Sequence, residues 1–280
     1  MIVNFNDIRY GRNLHVYPVR FKNGEETFRA DNFYEGKKVL LVCSSNTMDK
    51  DDFYSLLQVV DCLSKFCMPY IYMPYFFGCR QHRDNQAEHS TIDALLNIRL
   101  LYAAGAEQIY TLDMHSPDTQ VYNISPFAEV AKYLYKEKIP CNVVIAPDHG
   151  ALARAKTLAG YIGAEVATYK KIRYGSDVSL EFEKSCGVDL KGKDCIIVDD
   201  IIDSGSTLLK VIDDARSRGA QIKYVYATHC LMTNGNEEFE SRQVKVLGVT
   251  GDPDDYVYYN DYTTLDTAMP KIIEKEFMKV

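Results

Sequence analysis

A chain of 280 residues, 46% hydrophobic and 25% charged, has the material for one large domain or two of about 140 residues. No apolar run approaches the roughly 20 residues that span a bilayer, and Met1 to Arg12 is too polar for a signal peptide, so a cytoplasmic protein is expected. The net charge of −7, from 32 basic and 39 acidic residues, argues against a general nucleic-acid or membrane surface.

The eight cysteines (43, 62, 67, 79, 141, 186, 195 and 230) form no C-x-x-C pair. Several lie inside apolar runs and read as reduced core residues. Neither a P-loop nor a G-x-G-x-x-G pattern occurs, so any nucleotide is bound by other means.

In chain order, residues 14 to 30 alternate loosely around Lys22-Asn23-Gly24-Glu25, a hairpin signal. Val39 to Cys43 reads as a buried strand, 52 to 66 as an amphipathic helix, and Tyr70 to Met73 as the next strand. Arg80-Gln81-His82-Arg83 then follows a run of aromatic residues. Its arginines suit phosphate oxygens, although alone it reads as an exposed salt-bridged loop. Ser90 to Asp93 has the form of a capping box opening a helix that Gly105 closes. A strand over 108–112 ends in Asp113-Met114-His115, where a histidine beside an acid suits a metal or phosphate site.

A helix is expected over 126–138 and a buried strand over 142–146, ending in Pro147-Asp148-His149-Gly150. The helix 151–162 carries Arg154 and Lys156. A short strand, 165–168, leads into Tyr169-Lys170-Lys171-Ile172-Arg173, the densest basic cluster of the chain, read as a loop. Later strands are expected over 224–228 and 244–250, and a final helix over 270–277. Alternating strands and helices predict an α/β fold with doubly wound parallel sheets. Because strand–acid–helix units recur in both halves, two related domains are expected to meet near residue 140.

The most informative stretch is 198–207. Cys195-Ile196-Ile197 reads as a buried strand, Asp199, Asp200 and Asp203 form an acidic edge, and Leu208 to Ala215 has helical spacing. Between them, Ser204, Gly205, Ser206 and Thr207 are small enough to let backbone N–H groups at a helix N-terminus meet a phosphate. The aspartates would repel that phosphate but suit vicinal ribose hydroxyls or a magnesium ion. A sugar-phosphate satisfies both ends.

Taken together, these motifs resemble the ribose-phosphate pyrophosphokinase (PRPP synthetase) family, from about Val19 to Val249 and in the family's order. The resemblance implies a pair of domains of the type I phosphoribosyltransferase kind. Residues 1–139 would form the ATP side, joined by a C-terminal helix at 270–280, and residues 140–269 the ribose-5-phosphate side. Phe21, Asn23, Gly24 and Glu25 are similar to a turn that reaches the ATP base from a neighbouring subunit, and Arg80 and Gln81 to residues that hold ATP. His115 and Asp148 match ligands of Mg2+. Lys171 and Arg173 align with a flexible catalytic loop. Asp199, Asp200, Asp203, Ser204, Gly205, Ser206 and Thr207 match the ribose-5-phosphate loop. The implied reaction uses ATP and ribose 5-phosphate to make PRPP and AMP in a homo-oligomer, a dimer or hexamer, with a shared ATP site and no nucleic-acid or membrane partner. A PRPP-using phosphoribosyltransferase and a non-catalytic regulatory paralogue are the alternatives. The chain departs from the pattern at His82, where the family has Asp, and at Ala151, where it has Gly. It lacks the prolines after the loop arginines, and it is short before Val16, where the family has a strand and a helix.

Overall fold

A computed structural model describes residues 1–43, 48–84, 89–116, 118–174, 177–183 and 187–249, with the backbone alone for 172–174 and 177–179. Two compact units, Met1–Ile124 and Ser125–Val280, divide the chain. The expected C-terminal helix lies outside the described residues.

The first unit opens with β1 (Ile2–Asn4) and α1 (Phe5–Arg9), short forms of the strand and helix expected to be missing before Val16. Asn4 starts α1 by accepting a hydrogen bond from the Asn6 N–H at 2.8 Å. The hairpin follows as β2 (Val16–Arg20) and β3 (Glu26–Ala30), paired antiparallel. Next come β4 (Lys38–Val42), α2 (Lys50–Ser64), β5 (Met68–Tyr72), α3 (Asp93–Ala103), β6 (Gln108–Leu112) and β7 (Tyr122–Ile124). The sheet runs β1-β4-β5-β6-β7, all parallel. Leu40, Leu41, Ile71, Ile109 and Leu112 are buried in it, the composition that a sheet covered on both faces requires.

The helix expected to open at Ser90 begins three residues later. The helix starts at Asp93 behind Ile92, which makes no side-chain cap hydrogen bond. The Gln81 carbonyl instead accepts from the Ala94 N–H at 3.2 Å. A carbonyl from the arginine loop thus satisfies one of the orphan donors of α3.

The second unit holds α4 (Phe127–Lys136), β8 (Val143–Ala146), α5 (Leu152–Ile162), β9 (Glu165–Tyr174) and β10 (Asp177–Phe182). It continues with β11 (Asp194–Ile202), α6 (Ser206–Ser217), β12 (Gln221–Cys230), α7 (Glu237–Ser241) and β13 (Lys245–Leu247). Helix α4 therefore falls in this unit, although the sequence placed the boundary after it, near 140. The sheet order is β10-β9-β8-β11-β12-β13. All neighbours are parallel except β10, which pairs antiparallel with β9.

The β9–β10 pairing corrects the reading of 169–173 as a loop. Strand β9 continues through Tyr174, with Lys171 opposite Leu180 and Arg173 opposite Val178. Tyr169, Leu180 and Phe182 supply aromatic and branched side chains that favour a ribbon. Three basic residues, Lys170, Lys171 and Arg173, had hidden that pattern.

Candidate functional site

In open α/β sheets, ligands bind beyond the carboxyl ends of the strands, where the strand order reverses. In the second unit that point falls between β8 and β11. Asp148 leaves one of these strands and the segment 199–207 leaves the other, so the two acidic motifs flank one crevice. Strand pairing brings them there, since Ile197 lies beside Ile145.

Two aspartates follow one another near the end of β11. Asp200 is buried and pairs with Arg154 of α5 at 3.2 Å. It is therefore held by the scaffold at the end of β11. The carboxyls of Asp199 and Asp200 are within hydrogen-bond reach of each other, and Asp199 Oδ1 accepts from the Asp200 N–H at 2.9 Å. Burial, then the charge of Asp200 and more weakly that of Asp148, holds the Asp199 carboxyl well above the ordinary aspartate range. Asp203 is fixed from outside the motif. Its Oδ1 accepts from the Thr233 hydroxyl at 2.7 Å, and its carbonyl accepts from the Thr233 N–H at 3.1 Å.

The small-residue loop has the geometry that an anion site needs. Gly205 sits at φ +73° as the residue before α6, and the side chain nearest the helix start is Ser204, whose Oγ accepts a long bond of 3.5 Å from the Ser206 N–H. A Cβ at Gly205 would lie 2.7 Å from the Phe239 ring, so both the backbone angle and the packing require glycine. The hydroxyls of Ser204 and Ser206 are 3.2 Å apart, and Ser204, Ser206 and Thr207 are open to solvent or partly so. The N–H groups of the first turn of α6 and its dipole point toward this loop. Thr233 and Phe239, which complete it, carry no motif of their own. The nearest sequence cue is Asn234-Gly235, a turn signal following β12.

Asp148 takes up a capping role. Its Oδ1 accepts from the N–H groups of Gly150 at 2.8 Å and Ala151 at 3.3 Å. The next residue, His149, meets Glu183 at 2.8 Å, just past β10. Lys171 is exposed on the ribbon, while Arg173 is described by its backbone alone.

The first unit gathers the other candidate residues. The turn between β2 and β3 closes through the Phe21 N–H to the Glu25 carbonyl at 2.8 Å. Gly24 takes φ +91°, and Phe21, Asn23 and Glu25 are exposed. The root of this hairpin is pinned by Arg9, which donates to Glu26 at 2.6 Å and to Asp52 at 3.2 Å. Gln58 of α2 adds a bond to the Glu26 carbonyl at 3.0 Å. On the same helix, Phe53 packs against Phe77 with ring centroids 5.4 Å apart, so α2 supports the hairpin and the loop leading to Arg80 alike. His82 and His115 come together from separate motifs, their rings 5.0 Å apart and inclined at 65°. The turn before His115 is strained, with the buried Asp113 at φ +41°.

His115 and Asp148 thus belong to different units. Among the described residues, no group of three or more His, Cys, Asp or Glu gathers to hold a metal.

Three comparisons bear on this arrangement. Residues 93–264 match the phosphoribosyl transferase domain family. The ribose-phosphate pyrophosphokinase of Pyrococcus abyssi is 32% identical over 252 residues, 86% of this chain and 85% of that protein. The enzyme of the same name from Thermococcus kodakarensis is 33% identical, covering 85% of each chain. The crystal structure of phosphoribosylpyrophosphate synthetase from Mycobacterium smegmatis superposes with a TM-score of 0.72 at 22% identity, over 89% of this chain and 94% of that one. The fold is accordingly that of these α/β proteins, and the chain belongs to the ribose-phosphate pyrophosphokinase family.

Proposed function

We propose that the protein transfers the β,γ-diphosphoryl group of ATP to the 1-hydroxyl of ribose 5-phosphate, giving PRPP and AMP. The observation that carries this reading is the loop 203–207. It offers a helix N-terminus behind a left-handed glycine, beside a carboxylate held in place by Thr233. The N–H groups of the first α6 turn and the hydroxyls of Ser204, Ser206 and Thr207 bind the 5-phosphate. Asp199 and Asp203 accept from the ribose hydroxyls and so fix the direction of the 1-hydroxyl. That oxygen attacks the β-phosphorus, the bond from this phosphorus to the α-phosphate oxygen breaks, and the hydroxyl proton is lost. Positioning and charge neutralisation account for most of such a displacement. Lys171 and Arg173, on the β9–β10 ribbon, place positive charge against the group in transfer.

In this reading the first unit is the ATP side and the second the ribose-phosphate side. Arg80 and Gln81 hold ATP. The exposed turn Phe21–Glu25 reaches the ATP base of a neighbouring subunit, which makes a homo-oligomer part of the proposal. His115 and Asp148 would hold Mg2+, whose contribution when bound is to neutralise the phosphate oxygens. A cytoplasmic setting accords with the seven described cysteines, none of them in a disulfide.

The test is to incubate the protein with ATP, Mg2+ and ribose 5-phosphate and to quantify AMP and PRPP. Equal yields of the two are expected. Lys171→Ala should lower turnover by about two orders of magnitude or more, the loss typical of a removed transition-state charge contact, with ribose 5-phosphate affinity retained. A wild-type protein that makes no AMP, or a variant as fast as wild type, would rule the mechanism out.

A further inference from the structure

The ribbon that carries Lys171 leaves the sheet at a definite residue. Strand β8 pairs with β9 only as far as Ala146 opposite Thr168. From Tyr169 onward, β10 is the strand beside β9. A two-stranded ribbon is marginally stable by itself in water, so the direction it takes is set at its root.

Four side chains close that root into a ring of contacts. Tyr169 is fully buried, and its hydroxyl donates to Asp214 Oδ2 of α6 at 2.7 Å. Arg218, one turn further along α6 and just past its end, grips the same carboxylate with two bonds, at 2.7 and 3.2 Å. Its guanidinium lies 4.9 Å from the centre of the Phe182 ring. Phe182 is the cross-strand partner of Tyr169, and their rings meet edge-on at 5.3 Å. Both strands of the ribbon are thus tied to the helix whose N-terminus forms the phosphate loop. The electrostatics agree with the geometry. Burial alone would raise the Asp214 carboxyl, but the bonds from Arg218 and Tyr169 outweigh it and hold it below the ordinary value. Burial and the bond to Asp214 push the Tyr169 phenol up, so it remains a donor.

Along a strand, positions two apart share a face about 7 Å apart. Lys171 is therefore the next position on the face that Tyr169 anchors against α6. We propose that Tyr169 is a positioning residue for catalysis, with Asp214 and Arg218 as its seat: its hydroxyl sets the ribbon on α6 so that Lys171 is delivered to the side on which α6 begins. This inference rests on the role given to Lys171 above.

Tyr169→Phe keeps the ring and removes only the bond. In the full-length enzyme, kcat is expected to fall about tenfold, the worth of one hydrogen bond, with the KM values for ATP and ribose 5-phosphate within twofold. In a Lys171→Ala background the same change should have no further effect on kcat, because the hydroxyl acts through the lysine. Amide exchange in 170–173 should quicken in Tyr169→Phe while exchange in 208–215 stays as in wild type. Additive losses with and without Lys171 would overturn the proposal, as would unchanged kcat and exchange. If exchange quickens but the wild type makes no AMP, the tether stands and the assigned reaction is what fails.

Discussion

Asp199 and Asp200 are neighbours in sequence with opposite duties. Asp200 meets Arg154 of α5, and Asp199, in hydrogen-bond contact with Asp200, is the carboxyl held well above its ordinary range. A carboxyl whose folded pKa lies above its unfolded value loses stability as pH rises through the folded pKa. Its penalty is absent below the ordinary aspartate value of about 4 and present at neutral pH. Asp199→Asn removes the charge. In metal-free buffer the variant should therefore be more stable than wild type at pH 7, the gap closing as the pH falls toward 4, while ribose 5-phosphate binding weakens. Denaturant titrations at the two pH values check this, and equal stability at pH 7 would contradict the strain.

Gly205 makes a related point about backbone. An L-residue at φ +73° costs about 1–2 kcal/mol, and the Phe239 ring stands where a Cβ would go. Gly205→Ala should lower the unfolding free energy by at least that amount and weaken ribose 5-phosphate binding at the same time. Denaturation and calorimetric titration of one preparation measure both, and a variant with wild-type affinity would mean that the loop has no part in holding phosphate.

At the scale of elements, the functional segments are turns held at their roots by charged side chains from other elements. The β2–β3 hairpin is pinned by Arg9, through Glu26 and Asp52. Arg9 is among the polar N-terminal residues that offered no motif, yet it sits mostly buried between two carboxylates. Arg9→Ala should raise the ATP KM roughly fivefold, since a partly buried ion pair contributes about 1 kcal/mol. The ribose 5-phosphate KM should stay as it was. Steady-state kinetics with each substrate varied in turn decide this, and a change confined to ribose 5-phosphate would place the hairpin's role elsewhere. The strand–acid–helix units were legible as elements because strand and helix periodicities alternate cleanly. The β9–β10 ribbon was not, because its basic and polar positions, Lys170, Lys171 and Arg173 among them, read as a solvated loop.

For the whole molecule, each unit has its own sheet and its own buried core, the second built around residues such as Ile145, Ile197, Val211 and Val225. In the proposed reaction a divalent cation serves turnover and not folding, because it neutralises substrate phosphates. Chelation with EDTA should abolish AMP formation, restored by Mg2+, and should leave the thermal unfolding midpoint unchanged. A midpoint that falls with chelation would point to a structural ion. No helix of the described residues is long and apolar enough to cross a membrane, in line with the mean composition.

The sequence by itself determined the α/β class, the two-part organisation and most of the residues at the strand ends, because periodicity, turn chemistry and short motifs are local properties. It also carried the family, through motifs whose order and spacing are written along the chain. What only the tertiary structure decided was partnership: Arg154 with Asp200, Thr233 with Asp203, Phe239 against Gly205, Tyr169 with Asp214 and Arg218, and His82 beside His115. These pairs are separated by 30 or more residues, and no local preference encodes them. They exist because parallel strands set side by side bring distant strand ends to one edge, where each buried or half-buried polar group must find the partner that packing places within reach.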